Sequence, residues 1–165
     1  MKYILLSIFL VLLVLFWYTR RTSLEDRFNK LKRADYSIFN DIEIVHRKGL
    51  YYITYKSITY KVNRGVFITE SLSIEYAYSD NKALELTEYD KEKLKKVICA
   101  FNNLDVLAVT VDRENNLYLT LPWDDRCTYY FIRLSGKNTL KQINKDYYQH
   151  YVENWYYDKE CSESG

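Results

Sequence analysis

An apolar run close to the N-terminus constrains this chain more than any other feature of its sequence. Residues 3–18 are Ile, Leu, Val, Phe, Trp and Tyr, with Ser7 as the one polar interruption. As a helix this run would be roughly 24 Å long, somewhat less than a hydrocarbon core of about 30 Å. Lys and Arg on its flanks can reach the headgroups, and Trp17 and Tyr18 suit the interface. The run predicts a single-pass transmembrane helix.

A cleaved secretory signal has the same outline of a basic residue followed by an apolar stretch, so it is the competing interpretation. Cleavage requires small residues after the apolar core, whereas this chain continues with Phe16, Trp17, Tyr18 and Thr19. A buried core helix is the remaining alternative. We expect an uncleaved signal-anchor at residues 1–21, which makes membrane lipid a partner of the chain.

Basic residues after the run predict the orientation of the chain in the membrane. Only Lys2 precedes the run, and the flank that follows contains Arg20, Arg21, Arg27, Lys30, Lys32 and Arg33. The positive-inside rule places such a flank on the cytoplasmic side of the cell membrane, with the extracytoplasmic side as the alternative. Residues 1–33 hold the net positive charge, with seven basic and two acidic residues, whereas 17 basic and 20 acidic residues follow Arg33. The rest of the chain is therefore mildly acidic.

The flank contains a helical pattern, since Leu24, Phe28 and Leu31 fall at positions i, i+4 and i+7 of one face. We expect residues 22–35 to form a basic amphipathic juxtamembrane helix that contacts anionic headgroups. Packing of the same stripe against the following domain is the alternative. Residues 36–165 are of ordinary size for one globular domain.

Short runs of alternating apolar and polar residues fill much of this domain. The expected strands cover residues 42–47, 51–56, 58–62, 72–79, 106–111, 117–121 and 128–134. Between them, Thr87 suits a helix N-cap, Asp90 stands three residues later, and an apolar stripe follows. Tyrosine accounts for 18 residues and favours half-buried pleated surfaces. The expected fold class is α+β, an N-terminal transmembrane helix followed by a mainly antiparallel sheet with one central helix.

Aromatic residues crowd the C-terminal segment, which we interpret as a candidate protein-binding face made of Tyr147, Tyr148, Tyr151, Trp155, Tyr156 and Tyr157. Closure of the core against the sheet is the other interpretation. The spacing of Tyr147, Tyr151 and Trp155 is helical, although residues 155–157 suit a sheet edge equally well. Residues 146–165 hold five acidic residues against Lys159 alone, so we do not expect nucleic acid as a partner.

Signatures of catalysis are scarce in this sequence. It has four Gly and no glycine-rich phosphate loop, and its two His residues are isolated from any nucleophile. We therefore expect no cofactor, no metal site and no enzymatic activity. Cys99 is expected to be buried in the helix, and Cys127 and Cys161 can pair only in an oxidising compartment.

Taken together, these features predict a non-catalytic, membrane-anchored module that binds another protein as an inhibitor, immunity or accessory factor. The alternative is a membrane-associated, metal-dependent hydrolase. Its ligands would be the carboxylates at the predicted turns, namely Asp112, Glu114, Asp124 and Asp125.

Overall fold

The computed structural model describes residues 23–55, 58–64, 72–79, 82–83, 87–124, 127–136 and 138–161. The predicted transmembrane run, together with Arg20 and Arg21 of the predicted flank, lies outside these residues. Among the helices that are described, none combines the length and the hydropathy that a membrane crossing requires. The prediction of a single-pass membrane protein with its domain on the cytoplasmic side is therefore not supported and is corrected.

The chain divides into two compact units, Met1–Ala34 and Asp35–Gly165. In the first, helix α1 spans Leu24–Lys32 and begins at Ser23, whose hydroxyl accepts a 3.1 Å hydrogen bond from the Asp26 backbone N–H. This bond satisfies one of the N–H groups that lack a partner in the first turn. Phe28 and Leu31 are buried, whereas Lys30 and Arg33 of the predicted flank are exposed. Arg27 and Lys32 are half-buried.

The described residues of the second unit form a single sheet of ten antiparallel strands, in the order β5-β4-β3-β2-β1-β6-β7-β8-β10-β9. Its first half contains β1 (Ile42–Arg47), β2 (Leu50–Tyr55), β3 (Ile58–Arg64), β4 (Leu72–Ser79) and β5 (Lys82–Ala83). Its second half contains β6 (Ala108–Val111), β7 (Leu117–Asp124), β8 (Cys127–Arg133), β9 (Gln149–Val152) and β10 (Trp155–Cys161). A short 3-10 helix, Ser37–Phe39, precedes the sheet, and the four-residue helix Gln142–Lys145 precedes β9.

Local chemistry explains the first hairpin. Lys48 and Gly49 both have positive φ, at 52° and 76°, and they join Arg47 directly to its cross-strand partner Leu50. Two successive positive φ angles match the twist of the flanking strands, and glycine adopts such an angle without steric cost. The turn fixes the register that places Ile44 opposite Ile53, and both of these side chains are buried.

Helix α2 spans Glu88–Leu104 and covers one side of the sheet, which we call the helix face. Thr87 and Asp90 cap each other reciprocally at its start. From the sheet, the Tyr51 hydroxyl donates a 2.8 Å hydrogen bond to Asn102 Oδ1, and the Tyr51 ring meets the edge of Phe101 at 6.1 Å. The apolar stripe of α2 is buried and consists of Leu94, Val97, Ile98, Phe101 and Leu104.

The predicted fold class needs correction beyond the membrane helix. The C-terminal segment contributes two further strands, and only four of its residues are helical. The described part of the second unit is therefore dominated by one ten-stranded antiparallel sheet, rather than by seven strands arranged around a helix. Cys99 is exposed, in contrast to its predicted burial, because the buried stripe of α2 passes through Val97, Ile98 and Phe101.

Candidate protein-binding face

The six aromatic residues predicted as one surface lie on both sides of the sheet. Successive residues of a strand point to opposite faces, so Trp155 and Tyr157 share the helix face and Tyr156 points away from it. Phe131 joins the first group, with ring centroids 6.5 Å from Trp155, 6.2 Å from Tyr157 and 5.7 Å from Tyr151. Trp155 is only 1% exposed. Trp155 and Phe131 therefore belong to the core, whereas Tyr151 at the sheet edge is 36% exposed.

Four tyrosines gather on the opposite side of the sheet, and we call Tyr118, Tyr130, Tyr148 and Tyr156 the tyrosine face. Strand pairing aligns Tyr118 with Ile132 and Ile132 with Tyr156. Ile132 is 2% exposed and forms an apolar floor, whereas the four tyrosines are half-buried. Tyr148 reaches the group from the segment before β9. The neighbouring Tyr147 is 66% exposed.

Three carboxylates border the tyrosine face, and we call Asp112, Asp158 and Glu160 the acidic rim. The Tyr118 hydroxyl donates to Asp112 Oδ2 at 3.2 Å, and the Tyr130 hydroxyl donates to Glu160 Oε2 at 3.0 Å. Asp158 lies directly across the strand pair from Tyr130. Each phenol of these pairs is therefore oriented by a carboxylate, which leaves the ring as the contact surface.

The basic residues of the same strands lie on the helix face. The Arg133 guanidinium carbon lies 5.3 Å from the ring centroid of Tyr36 and 5.6 Å from that of Trp155. The Lys159 ammonium lies 5.5 Å from the ring centroid of Tyr129. Strands β8 and β10 therefore separate their charges, with cations on one face and anions on the other.

Burial and these carboxylates together control the ionisation of the phenols. Burial raises the pKa of Tyr118, Tyr130 and Tyr148, and a nearby carboxylate raises it further in each case. For Tyr148 the pKa reaches about 12, with Asp158 as the nearby charge. The phenols are consequently neutral hydrogen-bond donors at physiological pH.

Tyr148 is expected to ionise near pH 12 in the folded protein, compared with about 10 in an unfolded chain. Since the folded state holds this proton more tightly, its contribution to stability is complete below about pH 10 and declines as the pH rises toward 12. Tyrosinate absorbance and the urea midpoint, measured from pH 9 to 12, test this. The stability of Tyr148→Phe should fall less between pH 10 and pH 12 than that of the wild type. Tyr147→Phe is the control and should follow the wild-type profile. Identical profiles for Tyr148→Phe and the wild type would contradict the expectation.

The turn carboxylates proposed for a metal site have a structural role. Asn116 is buried, and its Nδ2 donates to Asp112 Oδ2 at 3.0 Å and to Glu114 Oε2 at 3.3 Å. Its Oδ1 accepts hydrogen bonds from the Ser135 N–H and the Asn138 side chain. Burial raises the pKa of the Asp112 carboxyl, but the hydrogen bonds that it accepts outweigh this and hold the pKa below its usual value. The network ties the β6–β7 turn to the segment after β8.

Within the described part of the chain, no group of three His, Cys, Asp or Glu side chains is arranged to hold a metal ion. Asp124 belongs to strand β7, while its side chain and the whole of Asp125 lie outside the description. The metal-dependent hydrolase therefore gains no support from the described carboxylates.

A concave region of about 670 Å³ is lined by the start of β1, the end of β2, Lys93 of α2 and residues 110–113 at the end of β6. Asp41, Glu43 and Asp112 contribute carboxylates to its lining, and Lys93 and Arg113 contribute cations. The Lys93 ammonium lies 3.7 Å from the ring centroid of Tyr55. This mixture of charges selects no single class of ligand, in contrast to the uniform charge beside the tyrosine face.

Sequence reasoning found Tyr148 and Tyr156 but missed Tyr118 and Tyr130, which come from other strands. The available signal was the alternation at residues 155–160, because Tyr156, Asp158 and Glu160 occupy every second position of a strand and therefore point to the same face. The same alternation in β8 places Tyr130 and Ile132 on one face.

Comparison with known protein families, characterised proteins and solved structures finds no match to this chain.

Proposed function

We propose that this protein is a non-catalytic binding module that docks onto another protein through the tyrosine face. The observation that carries the proposal is the arrangement of four half-buried phenols around the Ile132 floor, on the side of the sheet opposite α2. Tyrosine is enriched at interfaces because it combines a large apolar ring with a polar tip and loses little conformational entropy on binding. An inhibitor, immunity or accessory role would each use such a face.

The six residues predicted from the sequence take different parts in this proposal. Tyr148 and Tyr156 belong to the docking surface, and Tyr147 is the most exposed of the six. Tyr151, Trp155 and Tyr157 support it from the other side of the sheet through Phe131.

Site-specific photo-crosslinking tests the proposal. A benzophenone amino acid is placed at position 156, and a matched one at position 89, because Tyr89 is a tyrosine of α2 that is 75% exposed. In the cells that naturally produce the chain, we expect a discrete protein adduct from position 156 and none from position 89. Absence of an adduct at 156, or the same adducts at both positions, would refute the proposal.

Alanine substitution provides a second readout of the same surface. Removal of an aromatic side chain at the centre of an interface typically weakens binding by about tenfold or more. We therefore expect Tyr130→Ala to reduce the yield of the position 156 adduct, while Tyr89→Ala leaves that yield unchanged. The urea midpoint of each variant shows whether a reduced yield reflects unfolding instead.

A further inference from the structure

The tyrosine face has a uniform charge as well as a common side-chain chemistry. On β7 to β10, the described side chains that point to this face include Tyr118, Thr120, Thr128, Tyr130, Ile132, Tyr156, Asp158, Glu160 and His150, whose ring centroid lies 5.4 Å from that of Tyr156. None of these is Lys or Arg, and Asp112 adds a third carboxylate beside Tyr118. The face therefore presents negative charge between aromatic rings.

Two carboxylates of the acidic rim, Asp158 and Glu160, keep unused hydrogen-bond acceptor sites for a cation. Glu160 accepts one hydrogen bond from Tyr130, although an ionised carboxylate has about four acceptor sites. The ion pairs recorded among the described residues, Lys91 with Glu88 and Lys95 with Glu92, both lie on α2. Neither Asp158 nor Glu160 has a cationic partner in the described part of the chain.

Arginine is the side chain that matches this combination of groups. Its planar guanidinium stacks on an aromatic ring and can donate two parallel hydrogen bonds to a carboxylate. Tyr130 lies directly opposite Asp158 across the strand pair, and its hydroxyl contacts Glu160, so a ring and two carboxylates meet at one place. A lysine ammonium would gain the charge attraction without the planar match.

We propose that the partner is a basic protein surface that inserts arginine side chains between the phenols of the tyrosine face and the carboxylates of Asp158 and Glu160. The inference rests on the proposed function and specifies the chemistry of the partner at the same site. A guanidinium would stack on Tyr130 or Tyr156 and pair with the adjacent carboxylate.

Binding of labelled octa-arginine and octalysine peptides, measured by fluorescence anisotropy, tests this chemistry on the full chain. The double variant Asp158→Asn/Glu160→Gln removes two charges from the face, and Glu88→Gln/Glu92→Gln removes two from α2. We expect the face variant to bind octa-arginine at least about tenfold more weakly and to lose the preference for arginine over lysine. The α2 variant should change by less than about twofold, since exposed pairs contribute little. Equal losses in both variants would overturn the inference.

Two substitutions at position 156 separate the contribution of ring stacking to octa-arginine binding from that of the phenol hydroxyl. Tyr156→Phe keeps the ring and should keep the affinity for octa-arginine, whereas Tyr156→Ala should weaken it several-fold. Equal affinities for Tyr156→Ala and the wild type would remove the stacking role and overturn the inference in this form.

Comparison with the crosslinking experiment distinguishes failure of the inference from failure of the proposed function. A protein adduct at position 156 without any arginine preference would leave the proposed function intact and refute the basic partner. An arginine preference without an adduct would refute the proposed function and, with it, the inference. An adduct of twice the mass of the chain would identify a second copy as the occupant and overturn the basic partner.

Discussion

Substitution of Trp155 by alanine is expected to lower the free energy of unfolding by about 3–5 kcal/mol. The indole is almost fully buried, meets Phe131 edge to face and lies beneath the Arg133 guanidinium. Its removal leaves a cavity under the strand that carries Tyr156 and Asp158, and the surrounding sheet can fill such a cavity only in part. The midpoint of urea unfolding at unchanged slope measures the loss.

Two matched variants make this expectation specific. Trp155→Phe should cost clearly less, because most of the apolar volume remains. Tyr147→Ala, in the same aromatic segment but exposed, should stay within about 0.5 kcal/mol of the wild type. Similar effects at Trp155 and Tyr147 would contradict the division of the aromatic residues between core and surface. If Trp155→Ala is destabilised as expected, any loss of binding in that variant reflects unfolding rather than a lost contact with the partner.

Cys127 and Cys161 form a disulfide bond in the structure, and its reduction is expected to destabilise the protein by about 3–4 kcal/mol. The bond closes a loop with a sequence separation of 34, and it joins directly opposed residues at the ends of β8 and β10. The cross-link stabilises chiefly by limiting the freedom of the unfolded chain, an effect that grows with loop length. Urea unfolding with and without a thiol reductant measures the difference.

Cys99→Ser is the control for the disulfide, because Cys99 is exposed on α2 and takes no part in the bond. This variant should unfold at the wild-type midpoint and respond to the reductant in the same way. An unchanged midpoint after reduction, with mass spectrometry confirming two free thiols at 127 and 161, would contradict the expectation. The bond persists only under oxidising conditions, so samples must be prepared accordingly.

Secondary structure was predictable where one physical signal dominates. The reciprocal capping pair Thr87 and Asp90 located the start of α2, since these side chains satisfy orphan backbone groups. Alternation of apolar and polar residues located β1 to β4, because one side of each strand must face a core. At the first turn, Gly49 adopts a positive φ without steric cost, so a glycine between two alternating runs is a local signal of this hairpin.

The C-terminal segment was harder to predict because two periodicities overlap in it. Tyr147, Tyr151 and Trp155 follow helical spacing, yet Glu153 takes a positive φ of 53° and the chain reverses there into a hairpin. The Asn154 side chain then bonds to the Leu134 backbone carbonyl, which fixes the hairpin beside β8. That contact joins residues far apart in the sequence, so the local pattern alone could not reveal it.

The candidate site was predictable only in part for the same reason. The excess of aromatic residues and acid near the C-terminus was visible in the sequence, but the register that sets Tyr156 beside Ile132 and Tyr118 was not. Register depends on pairing across strands, and a shift by one residue would exchange the two faces. The membrane prediction came from the composition of a run that lies outside the described residues, and the described helices do not support it.

The order of the strands also has a consequence for how the chain folds. Neighbours in the sheet are mostly neighbours in the sequence, and the strand pair that joins the two halves is β1 with β6, through Ile44 and Val109. Within each half most strand pairs form across short connections at little entropic cost, but β10 pairs with β8 across residues 134–154, and the seam between β1 and β6 closes the largest loop. Helix α2 is the connection across that seam, since it runs directly into the segment that begins β6. The strand pair with the greatest sequence separation therefore lies at the centre of the sheet, and the tyrosine face depends on a second long-range pair, β8 with β10.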